Sequence, residues 1–351
     1  MAGVAESPEY RSDWPVSFYD RVRQNDRNTA LAFLAFGLSN AFVFATYGAL
    51  AAVIFLGATW IVDEPFLVEA RLDPWLLAGP CTLMGVLLGL TLTAWLTARS
   101  LRGGGMGLLE LAGARMAVGS DPGVRRFRGA VESLSIAAGI PYAEGWVMDS
   151  PAMNAFSTCG RHGRGRIVVT TALLDGLSAA EMEGVVAHEV AHIASHNSSL
   201  MMAVAALSAA VLLPAEIFVR QHSHSSFSTD RDYELSFAFL ARTVPVALAG
   251  GILWVAVKYA AMLTSLVARA LIGREREYRA DADAARLSRN PDALAEALHG
   301  IAGSSQDGIP SRCDRMDVLF LYPTVTPGRR GEAIFNTHPP VDERIRRLVA
   351  M

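Results

Sequence analysis

Cysteine is scarce in this sequence: the three cysteines, Cys81, Cys159 and Cys313, are far apart and odd in number. Such a spacing argues against a framework of disulfide bonds. None of the three belongs to a Cys-X-X-Cys pair, which excludes a metal site built on thiolates. Any bound metal must therefore be held by histidine and carboxylate side chains.

Charged residues are also few, at 19% of the 351 residues, and the formal net charge is only -3. The sequence has no basic block of the kind that follows a phosphate backbone, so we expect no nucleic-acid partner. Apolar residues are abundant instead, at 52% of the sequence, and the mean hydropathy is +0.29. This composition lies on the apolar side of an average soluble domain and indicates a membrane protein.

Four apolar runs are predicted to be transmembrane helices. No charged residue occurs between Arg27 and Asp63, and this stretch is much longer than the ~20 apolar residues that a bilayer requires. A second charge-free run covers residues 74–98. A third apolar run covers 200–219 and carries Glu216, and a fourth covers 244–268 and carries Lys258.

The arginines predict the orientation of these spans. Four arginines precede the first span, and Arg99 and Arg102 follow the second, whereas the loop between the two spans is mainly acidic. By the positive-inside rule, the N-terminus and the chain after Arg99 face the cytoplasm. The fourth span either ends at Val257 or continues past Lys258 to Ala268. We choose the longer span, because the shorter one would lift Glu277 of a continuous helix roughly 30 Å from the bilayer. The ammonium group of Lys258 then reaches the cytoplasmic interface along its aliphatic stem.

The sequence HEVAH has the form of the HExxH zinc-binding motif. A capping box formed by Ser178 and Glu181 predicts the start of a helix just before it. On that helix His188 and His192 project from one face and can share a tetrahedral cation. Glu189 lies beside them, where it can take a proton from a water that the metal activates. Three fixed positions also recur by chance, so the alternative is two surface histidines on an ordinary helix.

A third protein ligand must come from elsewhere in the chain. A metzincin is excluded, because Ala194 and Ser198 stand where that class has glycine and histidine. Glu216 lies toward the far end of the third apolar run and is interpreted as an interfacial residue. Glu277 and Asp281 are four residues apart on a helix-forming stretch after the fourth run, so they share one face.

A membrane hairpin of the third and fourth spans returns Glu277 to the two histidines. With a rise of ~1.5 Å per residue, His192 lies about 10 Å before the third span and Glu277 about 14 Å after the fourth. Because these heights match, we predict that Glu277 is the third ligand. Two interpretations of Asp281 stay open: it orients a liganding imidazole, or it is a neighbour of solvent-facing arginines.

Several motifs occur together in the second half of the chain. They are NAF at 154–156, AAGIP at 137–141, HEVAH at 188–192, EYRAD at 277–281 and HPPVDERI at 338–345. With these motifs the chain resembles the HtpX-like integral-membrane zinc metallopeptidases, which are related to the CAAX prenyl proteases. The specific part of the resemblance is the pair HExxH and ExxAD around a membrane hairpin.

The resemblance implies a gluzincin-type fold in which His188, His192 and Glu277 bind Zn2+ and Glu189 activates water. It also implies an endopeptidase that cleaves membrane or misfolded proteins in bacterial quality control and stress response. The expected partners are polypeptide substrates and the bilayer of the inner membrane, with the active site in the cytoplasm. The rival interpretation is a non-catalytic membrane scaffold or sensor that holds zinc, but such a site has no use for the base Glu189.

The predicted fold is mainly α-helical with a small β-hairpin or sheet, and it combines four transmembrane helices with the metallopeptidase domain. The second membrane hairpin divides the catalytic domain in the sequence. The predicted segments are a cytoplasmic N-terminal segment at 1–28, a first transmembrane hairpin at 29–98, the first catalytic part at 99–198, a second transmembrane hairpin at 199–268 and the second catalytic part at 269–351.

A β-hairpin is predicted before the motif helix, from residues 154–157 and 167–170 around a glycine-rich turn. Two interpretations of this hairpin stay open. Its exposed edge strand holds the backbone of a substrate, or the hairpin has only a structural role. Asn154 likewise either contacts substrate or ends a strand. His338 and Arg344 either stabilise the oxyanion that forms when water attacks a peptide carbonyl, or are a loop histidine and a helix-surface arginine.

Overall fold

The structure is a computed structural model that covers the N-terminal helices and most of the domain around the motif helix. The described residues are 18–61, 74–160, 164–202, 204–205, 248, 251–252, 255, 259–260, 274–305, 309, 319–322 and 339–351. This part of the chain is mainly helical with one small sheet, as predicted. Most of the third and fourth predicted spans, including Lys258, lies outside the described residues.

The first two predicted spans are long helices that pack against each other. Helix α1 covers Phe18–Ile61 and helix α2 covers Pro74–Gly103. By length and composition they are the two helices, within the described ranges, that suffice to cross a membrane. The qualifying apolar stretches are Val22–Leu50 and Gly79–Leu96.

Small residues allow α1 and α2 to approach closely. A Cβ atom at Gly48 would overlap the backbone carbonyl of Cys81 on the neighbouring helix. The Asn40 side chain also donates a hydrogen bond to Thr93 Oγ1 across the pair, at 2.8 Å. Close backbone contact and buried polar bonds of this kind stabilise pairs of membrane helices, where lipid removes the hydrophobic driving force.

A four-stranded sheet lies next to the motif helix. Its strands are β1 (Arg115–Met116), β2 (Glu144–Met148), β3 (Ala155–Cys159) and β4 (Gly165–Thr170), in the order β1-β2-β4-β3. Strands β2 and β4 are parallel, whereas β1 and β3 are antiparallel to their neighbours. The predicted hairpin is confirmed as β3 and β4, and β3 is the edge strand.

The remaining named helices surround this sheet. They are α3 (Met106–Ala112), α4 (Pro122–Ala138), α5 (Thr171–Gly176), α6 (Ala179–Ala194), α7 (Glu275–Ser288), α8 (Pro291–Gly303) and α9 (Val341–Val349). Helix α6 carries the HExxH motif and begins with the predicted capping box. Ser178 Oγ accepts a hydrogen bond from the backbone N–H of Glu181, and the Glu181 carboxylate accepts one from the N–H of Ser178.

Helix α6 is held in the apolar core of the domain, in contact with α4, α7, α8 and β3. Val185 and Val190 of α6 are fully buried beside Phe127 of α4, and full burial of one such side chain contributes ~1.5–3 kcal/mol. Gly184 lets α8 approach, since a Cβ atom there would lie 2.9 Å from the backbone nitrogen of Leu294. The motif therefore stands on a well-packed helix.

The start of α1 contacts the end of α6. Asn25 Nδ2 donates hydrogen bonds to the carbonyl oxygen of Ser195 at 2.6 Å and to Asn197 Oδ1 at 2.8 Å. Asp26 Oδ1 lies 2.9 Å from His196 Nδ1, and His196 has a φ of 59° where the chain turns after α6. These contacts tie the first apolar helix to the motif helix.

Candidate active site

Two histidines of helix α6 form the centre of the candidate site. His188 and His192 are one helical turn apart, and their Nε2 atoms are separated by 3.0 Å. The exposed fractions of the two residues are only 0% and 5%. The alternative of two surface histidines is therefore wrong.

Glu277 reaches the same point from helix α7. Its Oε2 atom is 3.7 Å from His188 Nε2, and its Oε1 atom is 3.5 Å from His192 Nε2. The glutamate is also buried, with 2% of its surface exposed. The structure thus brings together one ligand atom from each of the three residues, all within 4.8 Å of one another.

The spacing of these atoms fits a tetrahedral zinc ion. With bonds of ~2.0–2.1 Å, two ligand atoms of a tetrahedral site are about 3.3–3.4 Å apart. The observed separations of 3.0, 3.5 and 3.7 Å lie on either side of that value. Two imidazoles and one carboxylate are also a ligand set of catalytic zinc sites, which keep the fourth position for water or substrate.

Asp281, one turn beyond Glu277 on α7, contacts the first histidine. Its Oδ1 atom is 2.9 Å from His188 Nδ1, and the residue is buried. A proton on Nδ1 then points to this carboxylate, and the lone pair of Nε2 is left for a metal. The other interpretation, in which Asp281 is a neighbour of solvent-facing arginines, is wrong, because the arginine that bonds to it, Arg344, is itself buried.

Arg344 of helix α9 is the partner of this carboxylate. Its Nε and Nη2 atoms donate hydrogen bonds to the two oxygens of Asp281 at 2.9 and 2.7 Å. Nη1 donates to the carbonyl oxygen of Leu321 at 3.2 Å. Because Arg344 is only 2% exposed, its interpretation as a helix-surface arginine is wrong.

The pair has a clear electrostatic consequence. Burial alone raises the pKa of Asp281, but the charge and hydrogen bonds of Arg344 outweigh burial and lower that pKa to about 2. In turn, burial alone lowers the pKa of Arg344, but the Asp281 carboxylate outweighs this and raises it above the ordinary value. Asp281 is therefore ionised at neutral pH and remains an acceptor for His188.

Glu189 lies beside the three-residue cluster and is 2% exposed. Burial raises its pKa, although the neighbouring His188 and the Ser157 hydroxyl act in the opposite direction. A carboxylate with a raised pKa is a better proton acceptor than an exposed one. The position and environment of Glu189 therefore suit a general base.

Burial also keeps the second histidine neutral, by lowering the pKa of His192 from 6.5 to about 3. A neutral imidazole is the form that binds metals. The nearby carboxylate of Glu277 acts in the opposite direction, but desolvation outweighs it.

Acidification from pH 6.5 toward pH 3 is expected to destabilise the metal-free protein. In this range the unfolded chain binds a proton on His192 that the folded chain does not, so the free energy of unfolding rises with pH. One such proton contributes a slope of at most ~1.4 kcal/mol per pH unit. Thermal unfolding between pH 4 and 7 should show a smaller slope for His192→Gln than for the unsubstituted protein. The exposed His299→Gln is the control, and equal slopes in all three proteins would contradict the expectation.

Asn154 is fully buried directly before β3. Its side-chain amide donates a hydrogen bond to the carbonyl oxygen of Tyr322 at 2.8 Å and accepts one from the Tyr322 N–H at 3.2 Å. The same oxygen accepts the N–H of Ala155 at 2.9 Å. In this structure Asn154 thus pairs with the backbone of its own chain. His338 lies outside the described residues.

Sequence reasoning did not assign Ser157 or Tyr322 to the site. Ser157 lies near enough to Glu189 to lower its pKa, and its Oγ atom is 2.8 Å from Ser198 Oγ. A signal for Ser157 existed, because it is a polar residue in a strand whose Ala155, Phe156 and Cys159 pack into the apolar core. Tyr322 had no such signal, since it lies far along the chain in a stretch without a periodic pattern.

Comparison with known proteins identifies relatives of this chain. The family model described as Peptidase family M48 matches residues 125–351. A protein described as "Protease HtpX homolog" from Dictyoglomus thermophilum is 36% identical over 222 residues, which cover 63% of this chain and 67% of that protein. An HtpX homolog from Listeria monocytogenes is 32% identical over 224 residues, covering 63% of this chain and 72% of the relative.

A solved structure was also found. The crystal structure of S. mikatae Ste24p is 18% identical in sequence and has a TM-score of 0.42. The similarity covers 76% of this chain and 58% of that chain.

Proposed function

Since the chain belongs to peptidase family M48 and is an HtpX-like membrane metalloprotease, we propose that it is a zinc-dependent endopeptidase of gluzincin type. Its proposed substrates are membrane or misfolded proteins of the bacterial inner membrane. The observation that carries the proposal is the convergence of His188, His192 and Glu277 beside Glu189. The non-catalytic scaffold is disfavoured, because the chain is a peptidase by family and retains a base.

In this proposal His188, His192 and Glu277 hold the metal. The chemistry that zinc supplies when bound is Lewis acidity, which polarises a carbonyl and lowers the pKa of water toward ~7. The chain contributes the rigid helix α6 for two ligands and helix α7 for the third. Their burial excludes bulk water and strengthens every charge interaction in the site.

Glu189 is the proposed general base. It accepts a proton from the attacking water and passes it to the nitrogen of the leaving amine. Its raised pKa, caused by burial, suits both steps, because the group must take a proton and then release it.

Asp281 and Arg344 are proposed to be positioning residues rather than oxyanion donors. Two of the Arg344 donors are engaged by Asp281, and a third by the carbonyl oxygen of Leu321. Asp281 in turn holds His188 through Nδ1. The arginine therefore acts on His188 through the aspartate, and its own Nη1 atom lies 3.8 Å from Oε2 of Glu277.

The proposed membrane topology is the one predicted from the apolar runs and the positions of the arginines. Residues 29–98 form the first transmembrane hairpin and residues 199–268 the second, and the catalytic parts at 99–198 and 269–351 lie in the cytoplasm with segment 1–28. The apolar lengths of α1 and α2 support the first hairpin. Glu277 lies close to His188. This contact supports a second hairpin that returns the chain to the same face of the membrane.

Replacement of Glu277 with glutamine removes a charged metal ligand and is expected to weaken zinc binding. Loss of a residue that only hydrogen-bonds to a ligand lowers metal affinity ~10–100-fold, and we expect a larger loss here. Zinc content and chelator competition in detergent measure the effect. Glu275→Gln, an exposed change on the same helix, is the control. Full zinc retention by Glu277→Gln would show that the third ligand is another residue.

The test of the proposed function compares zinc stoichiometry and casein cleavage in detergent for the unsubstituted protein and Glu189→Gln. Cleavage that depends on Glu189, with zinc retained in both proteins, supports the endopeptidase. Zinc binding without any cleavage by the unsubstituted protein would favour the scaffold.

A further inference from the structure

The outer edge of strand β3 is already paired with another segment of the chain. In the sheet order β1-β2-β4-β3, one side of β3 bonds to β4 and the other side is the sheet edge. Residues Leu319–Tyr322, called here the edge segment, lie along that edge. The N–H of Leu321 donates a hydrogen bond to the carbonyl oxygen of Ala155 at 2.8 Å.

The side chains of the two segments also meet. Phe320 lies opposite Phe156 in an antiparallel bridge, and their rings contact edge to face with centroids 5.1 Å apart. Such a geometry is favourable beyond the area that it buries. The edge segment therefore contacts β3 as an added strand does, through both backbone and side chains.

Asn154 extends this pairing by one residue. Its amide donates to the carbonyl oxygen of Tyr322 and accepts from the N–H of the same residue. The side-chain amide thus bonds to both the C=O and the N–H of one residue, as the backbone of a neighbouring strand would. Any extended peptide presents the same two groups, so this recognition does not depend on sequence.

The paired edge borders the reactive groups. Strand β3 packs against helix α6, which carries the base Glu189, and Ser157, two residues after Ala155 in β3, lies near enough to Glu189 to affect its pKa. From the other side, Arg344 donates to the carbonyl oxygen of Leu321 while it holds Asp281. The edge segment thus lies between the positioning arginine and the strand that contacts the base.

The reactive groups lie deep in the domain. The metal-binding cluster and Glu189 have exposed fractions between 0% and 5%, yet a base must come within hydrogen-bond reach of the reacting water and a peptide bond. A polypeptide must therefore reach these groups along a surface that borders them. Among the described residues, the edge segment occupies the backbone groups that a substrate strand would use.

We propose that the edge segment is an internal occupant of the substrate position, which an extended polypeptide displaces by pairing with β3 and Asn154. This inference rests on the proposed endopeptidase function and adds its regulation. Phe320 and Leu321 are buried, so release exposes apolar surface and the open form is a minor population. The affinity for substrate is reduced by that fraction, and the protease is self-inhibited until a substrate supplies apolar side chains of its own.

A reversible covalent lock tests the proposal. Phe156 and Phe320 are opposite residues of an antiparallel bridge, where Cα atoms are ~4.5 Å apart, within the range that a disulfide spans. The double variant Phe156→Cys/Phe320→Cys is made in a background with the three native cysteines replaced. Oxidation is expected to lower the initial rate of casein cleavage at least tenfold, and reduction with a phosphine that spares zinc should restore it. The single variant Phe320→Cys, treated identically, should not respond.

The outcomes separate the two proposals. An oxidised double variant that cleaves casein as fast as its reduced form, with the disulfide verified by mass, overturns the self-inhibition. Failure of the disulfide to form in folded protein also overturns it, because the pair is then not adjacent. If the unsubstituted protein shows no cleavage that depends on Glu189, the endopeptidase function itself fails.

A second measurement covers the case in which the reduced double variant is inactive because its core is damaged. Hydrogen exchange is followed by mass spectrometry in zinc-loaded Glu189→Gln, with and without a saturating casein-derived peptide. Faster exchange at the amides of Leu321 and Tyr322 upon peptide binding is the expected result. Unchanged or slower exchange at saturation would overturn the proposal, and an absence of peptide binding would count against the endopeptidase function.

Discussion

Glutamine in place of Glu189 is expected to lower the rate of casein cleavage by ~10²–10⁴-fold, the usual contribution of a general base. The side chain keeps its size, so the packing of α6 should be preserved. At neutral pH the amide cannot accept the proton of the attacking water or transfer it to the leaving amine. Zinc content should stay at the level of the unsubstituted protein, because Glu189 lies outside the cluster of His188, His192 and Glu277.

The measurement is the initial rate of casein cleavage by purified protein in detergent, with metal analysis of the same samples. Glu183→Gln is the matched control, since it makes the same chemical change at an exposed position of the same helix. It should cleave at the original rate. Full activity of Glu189→Gln would refute the assignment of the base, and loss of zinc in that variant would point to a ligand role instead.

Alanine in place of Arg344 is expected to destabilise the protein by ~3–5 kcal/mol, because the Asp281 carboxylate is left buried without its cation. The low pKa of Asp281 shows how strongly the arginine favours the ionised form. Thermal or urea unfolding in detergent measures the loss. Arg346→Ala, on the exposed side of the same helix, is the control and should change the free energy of unfolding by no more than ~1 kcal/mol.

A double variant separates the stabilising role of Arg344 from its positioning role. Arg344→Met combined with Asp281→Leu removes both buried charges, so most of the stability should return. Zinc affinity should remain ~10–100-fold lower, because His188 has lost its outer partner. If Arg344→Ala instead keeps its stability and zinc affinity and loses only catalytic rate, the positioning role is wrong. Arg344 would then be interpreted as a donor that stabilises the oxyanion.

Local patterns predicted much of the helix that carries the motif. The capping box at Ser178 and Glu181 predicted where α6 begins, because its hydrogen bonds join residues three apart. The four-residue spacing of His188 and His192 placed both imidazoles on one face, because a helix has 3.6 residues per turn. The β3–β4 hairpin was equally local, since its strands are joined by a short glycine-rich turn.

Contacts between distant parts of the chain were harder to predict. Arg344 hydrogen-bonds to Asp281, 63 residues earlier, and the sequence left open whether this arginine faces solvent. Tyr322 hydrogen-bonds to Asn154 across 168 residues, and no sequence motif predicts this contact. Burial decides both cases, because an arginine or a backbone strand finds its partner only when the elements around it have packed.

By itself the sequence determined that the chain has two long apolar helices, a capped motif helix with its histidines on one face, and a small hairpin before it. These features follow from composition and from spacings within one or two turns of chain. Only the tertiary structure decided that Asp281 and Arg344 form a buried pair behind His188, and that the edge of β3 is filled by residues 319–322. Such contacts arise from the packing of separate elements, and periodicity along one element carries no information about which distant segment will cover it.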